Sequence, residues 1–122
     1  MLKEKKLGNI GEDIAKEYLL SKKYKILERN FRRPWGEIDI IAEKNKKIIF
    51  FEVKTLRYFS DKFYFLPEEQ VGYQKRVKII RTARLYLSEK KIPNEWQIDV
   101  IGIQFTKENK CRLRHTKNAI VD

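Results

Sequence analysis

The sequence has little of the residue types that build covalent or zinc-bound frameworks. It contains one cysteine, Cys111, and one histidine, His115. One cysteine cannot form an internal disulfide, and this pair is too few for a Cys/His zinc site. Any metal that the protein binds would therefore be held by oxygen ligands.

The sequence also lacks long apolar runs and has few of the glycines and prolines that are common in flexible loops. No apolar run approaches the ~18 residues of a membrane span, and the opening MLKEKKLGNIGED has no apolar signal-peptide core. We therefore expect a cytoplasmic protein. Among 122 residues there are five glycines and three prolines, with 42% hydrophobic and 37% charged residues. This composition predicts a single folded domain, residues 1–122, with a charged surface.

Acidic residues are outnumbered, 17 to 28 Lys and Arg, which gives a formal charge of +11. A lysine-rich surface also keeps proteins soluble, so the excess has an ordinary explanation. So large an excess in so small a domain nevertheless favours a polyanionic partner, and nucleic acid fits best. An anionic membrane fits less well, because no segment resembles a lipid anchor.

The central segment, residues 36–55, reads GEIDIIAEKNKKIIFFEVKT and places charge inside two apolar runs. Glu37 and Asp39 lie two residues apart in the first run, and Glu52 and Lys54 lie two apart in the second. Side chains two apart on a strand point to the same face. Each run is therefore predicted to be a strand with a charged pair on one face.

The polar break between these runs contains Asn45, a residue that tolerates the left-handed backbone of a tight turn. A turn of two or four residues would place Asp39 opposite Glu52, with Cβ atoms roughly 4.5–5.5 Å apart. It would also place Glu37 opposite Lys54. A three-residue turn would send Asp39 and Glu52 to opposite faces.

Two adjacent carboxylates repel each other and need a compensating cation. Mg²⁺ or Mn²⁺ suits oxygen ligands, and Mg²⁺ uses one or two carboxylates together with substrate phosphate oxygens. Lys54 would orient or activate a metal-bound water and offset transition-state charge. In a basic protein this pattern favours metal-assisted phosphodiester hydrolysis. The alternative is an ordinary hairpin with two surface ion pairs, one of them Glu37–Lys54.

The first helix is predicted from an N-cap at Asn9 to about Lys22, with Gly8 and Gly11 indicating close packing at its start. Glu12 borders its apolar face and would point along the seam between helix and core. The alternative is a first-turn glutamate favoured by the helix dipole.

Basic residues in two places are candidate nucleic-acid contacts. Arg32 and Arg33 lie in a predicted loop with Phe31 and Trp35, a combination that suits phosphate binding and base stacking but also a well-anchored loop. A second helix, from residue 69 or 72 to 88, is predicted to bury Val77, Ile80, Ala83 and Leu87. Its candidate phosphate contacts are Lys75, Arg76, Lys78, Arg81 and Arg84.

Strands are further predicted over residues 24–30, 96–105 and 111–116. The order of one helix, three strands, one helix and two strands predicts an α/β fold on a mixed sheet. Asp99 would be a fourth acidic residue near the carboxylates or the partner of a neighbouring arginine. The aromatic segment, residues 58–65, would be a substrate-facing flap, a homodimer surface or simply a cover for the core.

Several motifs together resemble a known family. Asp39, a hairpin and then Glu52-Val53-Lys54 resemble the PD-(D/E)xK signature, with Ile38 in place of the proline. The wider set resembles the YraN family of predicted endonucleases across nearly the whole chain: GNIGEDIA at 8–15, RNFRRPWGEIDIIA at 29–42, FFEVKT at 50–55, a helix start at 71–75 and IDVIGI at 98–103. The family often continues EVKT with arginine, where this chain has Leu56.

The resemblance implies a restriction-endonuclease-like αβββαβ core and a Mg²⁺-dependent endonuclease acting on DNA, with branched or recombination intermediates as candidate substrates. It implies Asp39 and Glu52 as metal ligands, Lys54 as the catalytic lysine and Glu12 as the remaining acidic site residue. Glu37 matches the family's GEID motif without an assigned role. The competing expectation is a non-catalytic nucleic-acid-binding protein on the same scaffold. A structural component of a ribonucleoprotein fits the charge but leaves the carboxylate pairs unexplained.

Overall fold

The structure is a computed structural model that describes residues 4–56, 71–106, 108 and 110–121. These residues form two helices and five strands: α1 (Glu4–Ser21), β1 (Lys25–Arg33), β2 (Gly36–Lys44), β3 (Lys47–Leu56), α2 (Tyr73–Glu89), β4 (Trp96–Phe105) and β5 (Cys111–Ile120). The predicted α/β fold with an αβββαβ order and one further strand is confirmed. The aromatic segment, residues 58–65, lies outside the described residues.

All five strands form one sheet in the order β1-β2-β3-β4-β5. Neighbouring strands are antiparallel except β3 and β4, which are parallel. Parallel strands need a crossover connection, and the chain between β3 and β4 contains α2. The sheet is therefore mixed, as predicted, with β1 at one edge.

The two helices cover opposite faces of this sheet. Phe50 and Phe51 are adjacent on β3, so their side chains point to opposite faces. Phe50 packs in a cluster with Ala83 of α2, whereas Phe51 packs in a second cluster with Leu19 of α1. Both rings are fully buried, and each contributes about 1.5–3 kcal/mol of hydrophobic stabilisation. Neither described helix combines the length and apolar character of a membrane span.

The hairpin between β2 and β3 turns at Asn45 and Lys46, with φ angles of 52° and 64°. Two successive left-handed residues are the signature of a type I′ turn, whose twist matches that of the flanking strands. Lys44 pairs directly with Lys47 across the turn. Of the two even turn lengths that were predicted, the two-residue turn is confirmed and the four-residue turn is not, and the three-residue alternative is wrong.

The predicted start of the first helix at Asn9 is wrong, because α1 begins at Glu4. Leu7 is 6% exposed and extends the buried stripe by one turn towards the N-terminus. Gly8 has open space around its Cα, whereas a Cβ on Gly11 would collide with Thr55 Oγ1 of β3. The predicted close packing is therefore found at Gly11 but not at Gly8, and Gly11 lies about two turns into α1 and not at its start.

The buried stripe of α2 differs from the predicted one. Ile79, Thr82, Ala83 and Tyr86 are buried, while Val77 is 46% exposed. Thr82 tolerates burial because its hydroxyl donates a hydrogen bond to the Lys78 carbonyl at 2.7 Å. Tyr86 packs edge-on against Phe50, with ring centroids 5.8 Å apart. The face of α2 that packs on the sheet is thus rotated about the helix axis from the face that the apolar pattern predicted.

Two strands are longer than predicted. β1 continues through Phe31 to Arg33, so the predicted loop is reduced to a turn at Pro34 and Trp35. Phe31 is 8% exposed, and burial of its ring explains the extension. β5 continues past Thr116 because Ile120, which is 2% exposed, pairs with Ile98.

Candidate active site

The hairpin register brings Asp39 and Glu52 to the same position along β2 and β3. Pairing runs from Lys44–Lys47 to Ile40–Phe51, and the next pair in this register is Asp39 and Glu52. There the ladder stops, because Asp39 Oδ2 accepts the Val53 N–H at 2.7 Å. The Asp39 carboxylate takes the place of a backbone carbonyl as the acceptor of this hydrogen bond. The bond holds Asp39 beside Glu52.

Asp39 lies in an environment that disfavours its charge. Burial, and then repulsion from Glu52, raise the pKa of Asp39 from 3.8 to about 8. The Val53 N–H lowers this pKa, while Glu12 and Glu37 raise it further. A perturbed carboxyl in a cleft is typical of functional sites.

Glu52 is buried, with 4% of its side chain exposed, and its Oε1 accepts a hydrogen bond from the Lys75 ammonium of α2. Burial lowers the pKa of Lys75, but the hydrogen bond to Glu52 and the attraction of Glu52, Asp39 and Glu37 outweigh it, so the pKa is raised. Lys75 was predicted as a phosphate contact. In the structure its ammonium compensates the carboxylates.

These groups open into a cleft of about 450 Å³ between β2, β3 and the start of α2. The cleft is lined by Gly36, Glu37, Asp39, Glu52, Gln74, Lys75, Lys78 and Ile79. It is acidic on the sheet side and basic on the helix side. A phosphate group would therefore enter it along α2.

Lys54 lies two residues beyond Glu52 on β3 and shares its face by strand alternation. It is partly exposed and does not line the cleft. Glu37 forms its ion pair with Arg32, at 3.2 Å, and within the described ranges no ion pair joins it to Lys54. The predicted Glu37–Lys54 surface pair is therefore wrong.

Glu12 reaches the rim of the carboxylate cluster from the middle of α1. Its side chain is 18% exposed and lies 3.9 Å from Arg29. Burial raises the pKa of Glu12; Arg29 opposes this, and the nearby Glu37 and Glu52 add to it. The first-turn alternative is wrong, since two helical turns precede Glu12, and the predicted position along the helix–core seam is confirmed.

Asn30 connects Glu12 to Glu37. With its amide nitrogen facing the carboxylates, Asn30 donates to Glu12 Oε1 and to Glu37 Oε1, both at 3.0 Å. Its φ of 53° is a conformation that asparagine adopts more readily than most residues. Sequence reasoning missed this residue, although an asparagine inside a strand-like run is a signal for such a backbone.

Asp39 and Glu52 supply a donor set that fits a hard divalent cation. Both are carboxylates, and the pKa of Asp39 is raised by burial and then by repulsion from Glu52, so a bound cation would favour the ionised form of Asp39. Mg²⁺ needs only one or two protein carboxylates, with waters and phosphate oxygens completing its shell. In the part of the chain that the structure describes, no group of three acidic, histidine or cysteine residues is close enough to hold a metal.

The other predicted nucleic-acid contacts occupy different environments. Lys78 lines the cleft, and Arg84 is exposed. Arg76 donates to the Val71 carbonyl, and the Arg81 guanidinium lies over the Trp35 ring, 4.1 Å from its centroid. Arg33 packs over Phe31 and pairs with Glu89, whereas Arg32 is 73% exposed beside Glu37.

Asp99 does not belong to this cluster. It is fully buried and lies on the opposite face of the sheet, because it alternates with Val100, which packs on the α2 side. Its Oδ2 lies 2.7 Å from His115 Nε2, and His115 Nδ1 lies 2.9 Å from the Tyr18 hydroxyl. Neither predicted role, a fourth site carboxylate or an arginine partner, is correct.

Known proteins similar to this chain share one family description. Residues 11–103 match the family described as "Uncharacterised protein family UPF0102". A UPF0102 protein of Thermodesulfovibrio yellowstonii is 46% identical over 113 residues, which are 93% of this chain and 94% of that protein. A UPF0102 protein of Alkaliphilus oremlandii is 42% identical over 118 residues, which are 94% of this chain and 97% of that protein.

Among solved structures, the chain is similar to that of Pyrococcus furiosus SfsA in complex with Ca²⁺. The TM-score is 0.38 at 15% sequence identity, and the similarity covers 96% of this chain and 64% of that chain.

Proposed function

This chain belongs to the UPF0102 family, and from the chemistry of its cleft we propose that it is a metal-dependent nuclease that hydrolyses phosphodiester bonds of DNA. The observation that carries the proposal is the pairing of Asp39 with Glu52 at the end of the hairpin ladder. An acidic pair facing a basic helix in a protein of net charge +11 suits a divalent cation and a phosphate together.

Asp39 and Glu52 would hold Mg²⁺ or Mn²⁺, whereas Glu12, implied by the resemblance as a further site carboxylate, would add negative charge beside the cation without binding it. When bound, the cation supplies Lewis-acid polarisation of the phosphate and lowers the pKa of a bound water. Asp39 must be ionised to act as a ligand, and its Val53 hydrogen bond orients the carboxylate for that purpose.

The remaining chemistry is assigned to positively charged side chains. Lys54 would orient the attacking water and stabilise charge on the phosphate oxygens. Lys78 would contact a phosphate from α2, and the exposed Arg32 would contact one from β1. As an endonuclease the protein would act on DNA, with branched or recombination intermediates as the narrower candidate substrates.

A cleavage assay tests the proposal. Duplex, single-stranded and four-way-junction DNA would be incubated with Mg²⁺ or Mn²⁺ and with wild-type protein, Asp39→Asn or Lys54→Ala. Removal of one electrostatic catalytic group typically costs about 10²–10³ in rate, so both variants should lose at least about a hundredfold. Glu17→Gln, which changes an exposed carboxylate on α1, should retain wild-type activity.

The outcomes separate two functions. Cleavage that survives both substitutions would refute the assigned site. Metal-independent DNA binding without cleavage of any substrate would instead favour the competing function, a nucleic-acid-binding protein on a nuclease scaffold. Salt dependence alone would not separate them, because both functions predict phosphate contacts.

Symmetric cutting of a junction would require two copies of the chain. We therefore extend the proposal to a homodimer, for which light scattering of the free protein and of its junction complex is the direct measurement. A monomer in both states would argue against symmetric cutting of a junction.

A further inference from the structure

Lys75 occupies an unusual place on α2, because it continues the buried stripe of the helix. Lys75, Ile79, Thr82 and Tyr86 follow one another at spacings of four, three and four residues, which is the spacing of one helix face. The three later residues are buried against the sheet. Lys75 is therefore directed towards the sheet at the point where the hairpin ladder ends.

The contact that results is an ion pair between unequal partners. Glu52 has 4% of its side chain exposed and Lys75 has 54%. The lysine is thus the more exposed partner, and its ammonium approaches a buried carboxylate from the cleft. Asp39 and Glu37 attract the same ammonium, so it lies within the field of the whole cluster.

We propose that Lys75 is a resident counter-cation that compensates Glu52 in the metal-free protein and is displaced into the cleft when a divalent cation binds. The inference rests on the proposed metal site at Asp39 and Glu52. An ammonium and a divalent cation on one carboxylate repel each other, and the four-carbon lysine stem allows the ammonium to move away.

Displacement would couple the cation to the substrate. The released ammonium would lie on the basic side of the cleft beside Lys78, where it can pair with a phosphate. Linkage then requires the effect to be reciprocal: a bound phosphate that holds Lys75 away from Glu52 strengthens cation binding. Lys75 would act as a positioning residue that joins two binding events.

The first test measures Mn²⁺ affinity in the absence of DNA, by electron paramagnetic resonance of the free ion. Lys75→Met removes the competing cation and should tighten Mn²⁺ binding by up to about fivefold, the effect of one partly exposed ion pair. Lys75→Arg keeps the positive charge and should bind Mn²⁺ no more tightly than wild type. Lys22→Met, which removes the charge of an exposed lysine outside the cleft, is the control and should bind Mn²⁺ as wild type does.

Each result has a distinct meaning. Equal affinities for wild type and Lys75→Met, or equal tightening by Lys75→Met and Lys22→Met, would overturn the counter-cation role while leaving the metal site in place. Absence of Mn²⁺ binding in wild type and in Lys75→Met would overturn the metal site itself and this inference with it. Unfolding midpoints of each variant establish that it is folded.

A second test needs no variant. Pulsed acetylation with peptide mass spectrometry would measure lysine reactivity in the wild-type protein with and without saturating Mg²⁺. Lys75 should become severalfold more reactive with Mg²⁺, because its ammonium leaves the ion pair, while Lys78 should stay constant. An unchanged or reduced reactivity of Lys75 would overturn the displacement.

Discussion

The charge of Asp39 should make the folded protein less stable as pH rises. The pKa of Asp39 is 3.8 in an unfolded chain and about 8 in the folded one. Between these values the folded state holds a proton that the unfolded state releases, so the free energy of unfolding falls with increasing pH. Below pH 3.8 both states are protonated and above about pH 8 both are ionised, so the effect is confined to this window.

The magnitude follows from one proton. The slope is at most about 1.4 kcal/mol per pH unit, so wild-type protein should lose about 3 kcal/mol between about pH 5.5 and pH 8 through Asp39 alone. Asp39→Asn cannot ionise and should not show this loss. The variant should therefore match wild type near pH 5.5 and be about 3 kcal/mol more stable near pH 8.

Urea unfolding with a chelator present, repeated across this pH range, gives the free energies by linear extrapolation. Titrating groups that do not interact with Asp39 are common to both proteins and cancel in the difference. Glu17→Gln, the exposed control, should follow the wild-type curve. Parallel curves for Asp39→Asn and wild type would refute the inference that Asp39 is protonated in the metal-free protein at neutral pH.

Three further predictions concern the same region. Because a cation must displace the proton of Asp39, Mg²⁺ affinity measured by calorimetry should rise up to about tenfold per pH unit below about pH 8; a pH-independent affinity would contradict that. Gly11→Ala should reduce the free energy of unfolding by about 1–3 kcal/mol through its clash with Thr55, and Thr55→Ala added to it should recover most of that loss in urea unfolding. Thr55→Ala alone provides the reference, and an unchanged double variant would argue against the close approach of α1 to β3. Lys78→Ala should reduce the slope of log K against log salt for DNA binding by about 0.9, whereas exposed Lys22→Ala should not; equal slopes for both would remove Lys78 from the phosphate contacts.

The hairpin register was predictable because it depends on local rules. One asparagine in a short polar break restricts the turn, and the period of two along each strand then fixes which side chains share a face. Asp39 and Glu52 needed no information from elsewhere in the chain. The order of helices and strands was predictable for the same reason, since each element carries its own period.

The role of Lys75 was not predictable from local rules, because it depends on the rotation of α2. The apolar pattern predicted that Val77 is buried and did not include Thr82 in the buried stripe. In that orientation of α2, Lys75 would point towards solvent. Burial of Thr82 depends on a hydrogen bond within the helix and on the close approach of Gly36. Such tertiary contacts override apolar periodicity. A rotation of α2 about its axis by the angle of one residue changes which lysine contacts Glu52.

The contacts of the four acidic residues also separate their roles. Glu37 is compensated by Arg32 and Asn30, and Glu12 shares the same Asn30 amide. Among the residues that the structure describes, Asp39 accepts the Val53 N–H and Glu52 accepts the ammonium of the half-exposed Lys75. A cation relieves most energy where charge is buried and least compensated, so we infer that Asp39 and Glu52 bind it first. Glu12 and Glu37, which share the Asn30 amide, would then strengthen the negative field around that pair.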